Sequence, residues 1–249
     1  MDAWVKRRVG APPGLFAAEA AGLRWLRVPS GTAVVDVLDV TDDAISLARV
    51  TPVASTLAAA EAFGESLART HSAGATAFGA PPDGFTGQCY IADLPLPTDP
   101  GPTWGVFFAN QRVLHFASLA EAELGTSGIR VMRALADRLL AGDFDDDAPP
   151  ARLHGDLWAG NVLYGPEGAV LIDPSAHGGH RLTDLAMLSL FGTPHLSGVF
   201  KSYEREAPNL PDDWRSLLPL HQVYPLLVHT VLFGGGYASE AVAAARRYI

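Results

Sequence analysis

The chain has 249 residues, 48% of them hydrophobic, so it can bury a full core as one large domain or as a small lobe beside a larger one. Its net charge of -9, without clustered Lys and Arg, argues against nucleic-acid and anionic-membrane partners. The single cysteine, Cys89, excludes an intramolecular disulfide and favours a reducing cytoplasm. We expect no signal peptide and no membrane span, because the most apolar late stretch, residues 224–233, is shorter than the roughly 20 residues that a bilayer requires.

The first 52 residues predict a small lobe made of a sheet and one helix. A short strand around Val5 carries Lys6, and a Gly/Pro-rich break leads into a helix over residues 15–26 that carries Glu19. Two further strands, residues 34–40 and 44–50, are joined by a turn at Asp42 and Asp43. Residues 48–52 would then form the hinge to a second lobe.

The remaining residues, 53–249, predict a mainly helical lobe. Helices are expected at residues 56–71, 106–118, 127–141 and 183–191, followed by two or three more. Residues 75–105 are rich in Gly, Pro and aromatic residues, which predicts an irregular segment bordering a binding site. The run from Asp143 to Asp147 holds four acids in five residues, and we interpret it as a solvated loop and not as a metal site.

One run of polar residues carries most of the chemical information. It reads from His154 through Asp156 to Asn161, and Asp173 follows at the end of an apolar strand. Phosphoryl transfer from a nucleotide needs a carboxylate near the acceptor hydroxyl and oxygen ligands for magnesium. Asp156 and Asn161 have the spacing of the base and the metal-binding Asn in the kinase catalytic loop. The run therefore predicts a phosphotransferase site that uses ATP and Mg2+.

The segment between Asn161 and Asp173 predicts a hairpin, with apolar strands on either side of a turn at residues 165–168. A hairpin returns the chain to its starting point, so both side chains could bind one magnesium ion. Each residue alone could instead be an ordinary turn residue. The three roles in this order, with a hairpin between the last two, make that alternative improbable.

Two further groups are candidates for nucleotide binding. In kinases a strand Lys binds the phosphates and is held by a helix Glu, which makes Lys6 and Glu19 candidates for that pair. Such a pair is weak evidence on its own, because surface Lys and Glu are common neighbours. Backbone groups of the hinge at Ala48, Arg49 and Val50 are candidates to meet an adenine ring.

The motifs together closely resemble the fructosamine kinase (ketosamine-3-kinase) family. The resemblance rests on residues 153–161, 172–175 and 179–186, and it continues in residues 83–87, in Trp104, residues 107–109 and Arg112, and in residues 232–237. The family shares the protein-kinase-like fold of aminoglycoside phosphotransferases. The resemblance implies an α+β fold with two lobes, in which the antiparallel sheet of the N-terminal lobe is truncated in this chain. Trp158 in the catalytic loop separates this family from ordinary aminoglycoside kinases.

The resemblance implies ATP-dependent phosphorylation of the sugar of a ketoamine, small or protein-bound, in protein deglycation repair. By this likeness Asp156 is the base, Asn161 and Asp173 hold magnesium, and Trp158 stacks on the acceptor, although it could instead pack beneath the loop. Trp104 and Arg112 are assigned to the substrate site. Supporting roles around the site fall to His154, His180, Arg181 and Asp184.

One departure from the family matters. Members begin with two further strands and a nucleotide-covering loop before the Lys strand, whereas five residues precede Lys6 here and no Gly-rich loop is found. Either the recorded start lies too late, or the protein lacks that lid, and in the second case we expect weak ATP affinity. The exposed sheet edge allows a homodimer as well as a monomer. Two alternatives stay open: a small-molecule phosphotransferase of aminoglycoside type, and a catalytically weak binding protein with a kinase fold.

Overall fold

The N-terminal lobe is a three-stranded antiparallel sheet beside one helix. The computed structural model of the chain describes residues 2–207 and 210–249. The sheet has the order β1–β4–β3, and Lys6 pairs with Ile45 across its first two strands. The apolar face of the helix buries Phe16, Ala20 and Leu23. The elements of this part of the chain are β1 (Ala3–Arg7), α1 (Leu15–Trp25), β2 (Ala33–Val34), β3 (Val37–Val40) and β4 (Ala44–Ala48).

The rest of the described chain is mainly helical, with short hairpins inserted between the helices. Thr56 caps the first of these helices, because its side chain accepts a hydrogen bond from the N–H of Ala59. The helices are α2 (Leu57–Ser72), α3 (Trp104–Phe107), α4 (His115–Leu119), α5 (Glu121–Leu140), α6 (Leu182–Leu190), α7 (Leu196–Glu206), α8 (Leu218–Phe233) and α9 (Tyr237–Ala245), with a π-helical stretch at Phe108–Leu114. The strands are β5 (Cys89–Ile91), β6 (Leu94–Leu96), β7 (Ala151–Leu153), β8 (Val162–Gly165), β9 (Gly168–Leu171) and β10 (His177–Gly179).

Two predicted segments differ from the structure. The strand expected at residues 34–40 is divided, because Ala33 and Val34 leave the small sheet and pair in parallel with β9, while Val37 begins β3. The segment expected to be irregular, residues 75–105, contains the hairpin β5–β6. The alternation that would reveal these three-residue strands is too short to be recognised from sequence.

The hydrophobic core forms two clusters, and neither coincides with the predicted boundary at residue 52. The first joins α1 and β4 to α2, the catalytic loop and α7, so Phe16 and Ile45 belong to the same cluster as Leu157. The second lies among β5, β6, α3 to α5, α8 and α9. The division into residues 1–52 and 53–249 therefore stays a prediction, and Met1 lies outside the described residues.

Surface features bear on two further expectations. Strand β1 has one neighbour in its sheet and exposes Trp4 and Val5, so dimerisation through this edge stays a prediction. In the described part of the chain, the helical stretch Trp214–Phe233 is long and apolar enough to cross a membrane by composition, but 56% of its most apolar window is buried inside the protein. The buried core helices of other proteins are often equally long and apolar, so this stretch is not evidence for a membrane span.

The structure corrects the assignment of Trp104 and Arg112 to the substrate site. Trp104 is 4% exposed and its ring stacks on Phe108 and His221, with centroids 4.9 and 4.6 Å apart. Arg112 is 1% exposed, lies over the ring of Phe107 and donates to the carbonyl of Pro97 at 2.9 Å. Trp104 therefore belongs to the second hydrophobic cluster, and Arg112 packs against two members of that cluster, Phe107 and Tyr224. Their role is structural, because they do not reach the cleft.

We predict opposite sensitivities for two tryptophans. Trp104→Ala removes a fully packed side chain and should lower the free energy of unfolding by about 3–5 kcal/mol. Trp158→Ala, which truncates a side chain that is 43% exposed, should lower it by about 1 kcal/mol or less. Urea unfolding followed by circular dichroism measures both values. Equal effects of the two substitutions would contradict the structural role of Trp104.

We also predict that two buried histidines make the fold less stable on mild acidification. Burial, with the charge of Arg112, lowers the pKa of His177 to about 3, and burial lowers the pKa of His221 well below its usual value. Below about pH 6.5 the unfolded chain binds protons on these groups and the folded chain does not, so they remove stability as the pH falls, whereas the raised pKa values of Glu19 and Asp156 act in the opposite direction. His221→Asn removes one of the two histidines, so acidification from pH 7.5 to 5 should lower the urea midpoint of this variant less, or raise it more, than that of the wild type. An identical pH dependence of the two proteins would contradict this prediction.

Candidate active site

The catalytic loop, residues 154–161, follows β7 and turns sharply at Gly155. Gly155 has a φ of 82°, and a Cβ atom at this position would collide with the carbonyl oxygen of Ser175. Strand β7 pairs with β10, and the N–H of Ser175 donates to the carbonyl of His154 at 2.9 Å. Only glycine lets the loop approach the following segment this closely.

Asp184, at the start of α6, holds the loop in place. Its carboxylate accepts the backbone N–H of His154 at 2.7 Å and that of Gly155 at 2.9 Å. His71 on α2 contacts the same carboxylate at 3.1 Å and bonds the hydroxyl of Tyr203 at 2.8 Å. Burial alone would raise the pKa of Asp184, but His71 and the backbone donors lower it. The predicted contact of Asp184 with the catalytic loop is therefore present.

His154 links the loop to the segment that carries Asp173. Its Nε2–H donates to the carbonyl of Ile172 at 2.9 Å, and its Nδ1 accepts the N–H of Asp156 at 3.2 Å. Burial lowers the pKa of His154, which keeps the ring neutral in this arrangement. The ring thus supports Asp156 from below without facing the cleft.

Asn161 orients Asp156. The amide of Asn161 donates to the backbone carbonyl of Asp156 at 2.8 Å and to Oδ2 of its carboxylate at 3.0 Å. Burial raises the pKa of Asp156 to about 6, although the bond from Asn161 opposes this shift. A carboxylate whose pKa lies near neutral pH is well suited to accept a proton from a hydroxyl group.

The hairpin β8–β9 returns the chain to Asn161, as the sequence predicts. The N–H of Ile172 donates to the carbonyl of Asn161 at 3.1 Å, which places Asp173 directly beside it. Asp173 has a φ of 51°, a left-handed conformation that turns the chain at the strand end. Its Oδ1 is buried without a well-aligned hydrogen bond and lies 3.2 Å from Nζ of Lys6.

Lys6 is shared between two carboxylates. Its Nζ donates to Glu19 at 3.0 Å and lies beside Asp173, so the predicted pair of Lys6 and Glu19 is present. Burial lowers the pKa of Lys6, but the two carboxylates outweigh it and the net shift is upward. Burial raises the pKa of Glu19. The cleft thus presents one cation at the point where Asp173 and Asn161 meet.

Two cavities meet at Asp156. A cleft of about 590 Å³ lies between β1, α1 and the catalytic loop, and it includes Lys6, Glu19, Asn161 and Asp173. A second cavity of about 180 Å³ lies between the β5–β6 hairpin, α6 and α8. Asp156, Trp158 and Ala92 border both cavities. A group bound in either cavity would therefore reach the same carboxylate.

Trp158 lies at the surface of the site, whereas His180 and Arg181 are buried. Trp158 is exposed and its ring covers Gly160, so it lies on the loop surface and not beneath it. His180 contacts Asp146 at 3.2 Å, and its ring lies tilted against that of Trp104 with centroids 5.3 Å apart, so it packs in the core. Arg181 is also buried, 7% exposed. The four acids of the run at residues 143–147 are exposed, as expected for a solvated loop, and Asp146 also contacts His180.

The hinge offers fewer free backbone groups than expected. The N–H of Ala48 donates to the carbonyl of Asp36 at 2.8 Å, and that of Arg49 donates to the carbonyl of Asp2 at 3.0 Å. Within the described residues, no backbone hydrogen bond engages the N–H of Val50. Val50 thus keeps the N–H that could serve an adenine ring, and its role stays a prediction.

Sequence reasoning missed the residues that form the second cavity. They include Met187 on α6 and Tyr224, Val228 and Phe233 on α8, beside Ile91 of the hairpin. His229 lies on the same helix, and its Nδ1–H donates to the carbonyl of Pro225 at 2.8 Å. The family resemblance at residues 232–237 is the one sequence feature that points to this part of α8.

We predict that the catalytic loop does not tolerate a side chain at position 155. Gly155→Ala should destabilise the fold and abolish activity, because the new Cβ collides with the carbonyl of Ser175. Gly192→Ala is the matched control: its φ is 75°, but a Cβ there meets nothing within 4 Å, so the cost should be about 1–2 kcal/mol. Thermal unfolding compares the two variants, and similar melting temperatures would contradict the prediction.

Comparison with known proteins gives the chain a family. Residues 3–249 match the model of the family described as Fructosamine kinase. The protein of Thermus thermophilus named "probable ketoamine kinase TTHA1179" is 37% identical over 233 residues, which cover 94% of this chain and 82% of that protein. Matches to several other proteins named as ketoamine kinases cover between 50% and 61% of their lengths.

Solved structures agree with this match. The crystal structure named "putative fructosamine-3-kinase" from Thermobifida fusca has a TM-score of 0.90 and 44% identity, covering 98% of this chain and 84% of that one. A ternary complex of the aminoglycoside phosphotransferase APH(4)-Ia with ADP and hygromycin B has a TM-score of 0.56 at 15% identity, covering 94% and 83%. At that identity the likeness shows the fold alone, which is the α+β fold of protein-kinase-like phosphotransferases. The chain belongs to the fructosamine kinase family.

Proposed function

We propose that this phosphotransferase moves the γ-phosphoryl group of ATP to a sugar hydroxyl of a ketoamine. The observation that carries the proposal is the position of Asp156, at the junction of a cleft that holds the Lys6–Glu19 pair and a second cavity bordered by Trp158. A kinase needs its base between a phosphate site and an acceptor site. The family to which the chain belongs supports the ketoamine as acceptor.

The cleft is the proposed nucleotide site. Lys6 would bind the phosphates, with Glu19 holding its ammonium group in place. The backbone of the hinge at Val50 would meet the adenine ring. A phosphotransferase with the same fold has been solved in complex with ADP, which supports nucleotide use by this fold.

The donors present fit a magnesium ion. Oδ1 of Asp173 lies 3.2 Å from Nζ of Lys6 but has no well-aligned hydrogen bond, and the amide of Asn161 donates to Asp156, which leaves the carbonyl oxygen of Asn161 for a ligand. The described residues hold no group of three or more His, Cys, Asp and Glu side chains able to bind a metal. Few protein ligands suit Mg2+, which takes its other oxygens from phosphates and water. A bound Mg2+ ion would neutralise phosphate charge.

The residues define one transfer step. Asp156 accepts the proton of the sugar hydroxyl while the hydroxyl oxygen forms a bond to the γ-phosphorus of ATP. At the same time the bond from the γ-phosphorus to the oxygen that bridges it to the β-phosphate breaks, and ADP leaves. Asn161 keeps the carboxylate oriented through its bond to Oδ2. Lys6 stabilises the negative charge on the phosphates.

The acceptor side supports the substrate class. Trp158 offers an exposed flat ring beside Asp156, and a sugar can stack its apolar face on such a ring. We infer that the product, a phosphorylated ketoamine, decomposes and frees the amine, which would make this a deglycation enzyme of the cytoplasm. The single buried thiol of Cys89 is compatible with that compartment.

The test is ATP consumption by the purified chain with Mg2+ and a fructose or ribulose ketoamine of lysine. We expect turnover that a chelator abolishes, and a phosphorylated ketoamine detected by mass spectrometry. Asp156→Asn should lower kcat by about 10²–10⁴-fold, since general base catalysis contributes that much. Asp137→Asn, on the exposed side of α5, is the matched control and should keep full activity. Absence of turnover, or equal rates in both variants, would refute the proposal.

A further inference from the structure

The second cavity is small, and one charged residue borders it. Its volume of about 180 Å³ is well below the roughly 300–1,000 Å³ of pockets that enclose a whole small-molecule ligand, so it holds one part of the acceptor. Among the described residues that border it, Asp156 is the one that carries a charge, since burial lowers the pKa of His229 and keeps its ring neutral. The field in the cavity therefore favours a positive group over a neutral or negative one.

The carboxylate of Asp156 keeps one oxygen for a ligand. Oδ2 accepts the amide of Asn161 at 3.0 Å, whereas Oδ1 accepts no hydrogen bond within the described residues and is not fully buried. Lys6 borders the first cleft and not the second cavity, and its ammonium group is already shared by Glu19 and Asp173. No cation of the described chain therefore faces Asp156 from within the second cavity.

Two aromatic side chains add a second attraction for a cation. Trp158 is 43% exposed and Phe233 is 67% exposed, and both border the cavity. The ring of Phe233 is held beside His229 and Tyr237, with centroids 5.4 and 6.5 Å away. The face of an aromatic ring carries partial negative charge and attracts an ammonium group. The exposure of Phe233 also leaves the cavity open to water, which limits the desolvation of a charged ligand.

The remaining walls favour the substituent of the sugar over the sugar itself. They are mainly aliphatic and offer almost no partner to hydroxyl groups: Ile91, Met187, Val228 and Leu232. The sugar therefore stays at Asp156, where the polar groups of the first cleft begin. In a ketoamine the nitrogen is bonded to the carbon beside the keto group, so it is the first group to follow the sugar into the cavity. An alkylated nitrogen of this kind is protonated near neutral pH.

We propose that the second cavity binds the protonated nitrogen of the ketoamine, between the carboxylate of Asp156 and the exposed rings of Trp158 and Phe233. The inference rests on the proposed function and deepens it, because it names the group by which the enzyme distinguishes a ketoamine from a sugar without nitrogen. Phe233 is then a specificity-determining residue. A neutral substituent at the same position gains neither the charge pair nor the attraction to the rings.

The first experiment compares two derivatives of fructose that differ in a single group. N-propyl fructosamine carries the protonated nitrogen, and the propyl ether of fructose at the same carbon carries an uncharged oxygen in its place. We expect kcat/KM for the amine to exceed that for the ether by at least about tenfold, because the ether loses both attractions. An ether that is phosphorylated as efficiently as the amine would overturn the proposal.

The second experiment removes the ring of Phe233 but keeps an apolar side chain. Phe233→Leu should lower kcat/KM for the amine by about three- to tenfold and leave that for the ether unchanged, because leucine has no ring face to attract a cation. Phe233→Tyr should restore the preference for the amine. Equal losses for the amine and the ether in Phe233→Leu would show a packing role and overturn the proposal.

Phe191→Leu is the matched control for this substitution. Phe191 is also exposed and lies 4.6 Å from the ring of His229, but it borders neither cavity. The variant should keep the wild-type ratio of kcat/KM between the amine and the ether. A loss of the preference in Phe191→Leu as large as that in Phe233→Leu would contradict a contact between Phe233 and the nitrogen.

Calorimetry separates failure of this inference from failure of the proposed function. If neither derivative is phosphorylated, the proposed function fails, and titration of both derivatives into the wild type and into Phe233→Leu then decides the inference. Tighter binding of the amine than of the ether, with a smaller difference in Phe233→Leu, would support the cavity as a site for the charged nitrogen. Equal binding of the two derivatives, or no binding of the amine to the wild type, would overturn it.

Discussion

The carboxylate of Asp184 is the interaction on which the rest of the site depends. It accepts two backbone N–H groups of the catalytic loop and is itself held by His71, so α2, α6 and the loop meet at one buried group. Backbone donors buried away from water need such an acceptor. The loop can therefore keep Asp156 at the surface of the cleft while its own backbone is satisfied underneath.

A second constraint is the return of the chain through the hairpin β8–β9. The antiparallel pair of Val162 with Leu171 brings Asp173 back to Asn161, and His154 fastens the strand end to the loop through Ile172. Lys6 then joins the N-terminal sheet to this arrangement through Glu19 and Asp173. Three distant parts of the sequence thus supply the charges of the cleft. A shift of any one part would separate Asp156, Lys6 and Asp173 from one another.

The β5–β6 hairpin connects the two cavities to the N-terminal lobe. Arg8 forms an ion pair with Asp93 at the hairpin turn, and the hydroxyl of Tyr90 donates to the carbonyl of Pro13 at 2.8 Å. Ala92 of the same turn borders both cavities. The hairpin therefore places one wall of the second cavity against the lobe that carries Lys6. It could not be predicted, because its strands have three residues each and their position depends on these distant partners.

The sequence by itself determined the features that local chemistry specifies. The turn at residues 165–168, the apolar strands beside it and the order of Asp156, Asn161 and Asp173 predicted the hairpin and its polar ends, and the pairing of Lys6 with Glu19 followed from the kinase pattern. Tertiary structure decided which aromatic and charged side chains face the cleft. Trp104 and Arg112 belong to segments that carry the family resemblance, yet they are buried, whereas Tyr224 and Val228 lie in an apolar helix and border the second cavity. The reason is physical: helical periodicity shows which residues share a face, but only packing against other elements decides whether that face meets the core or a cavity.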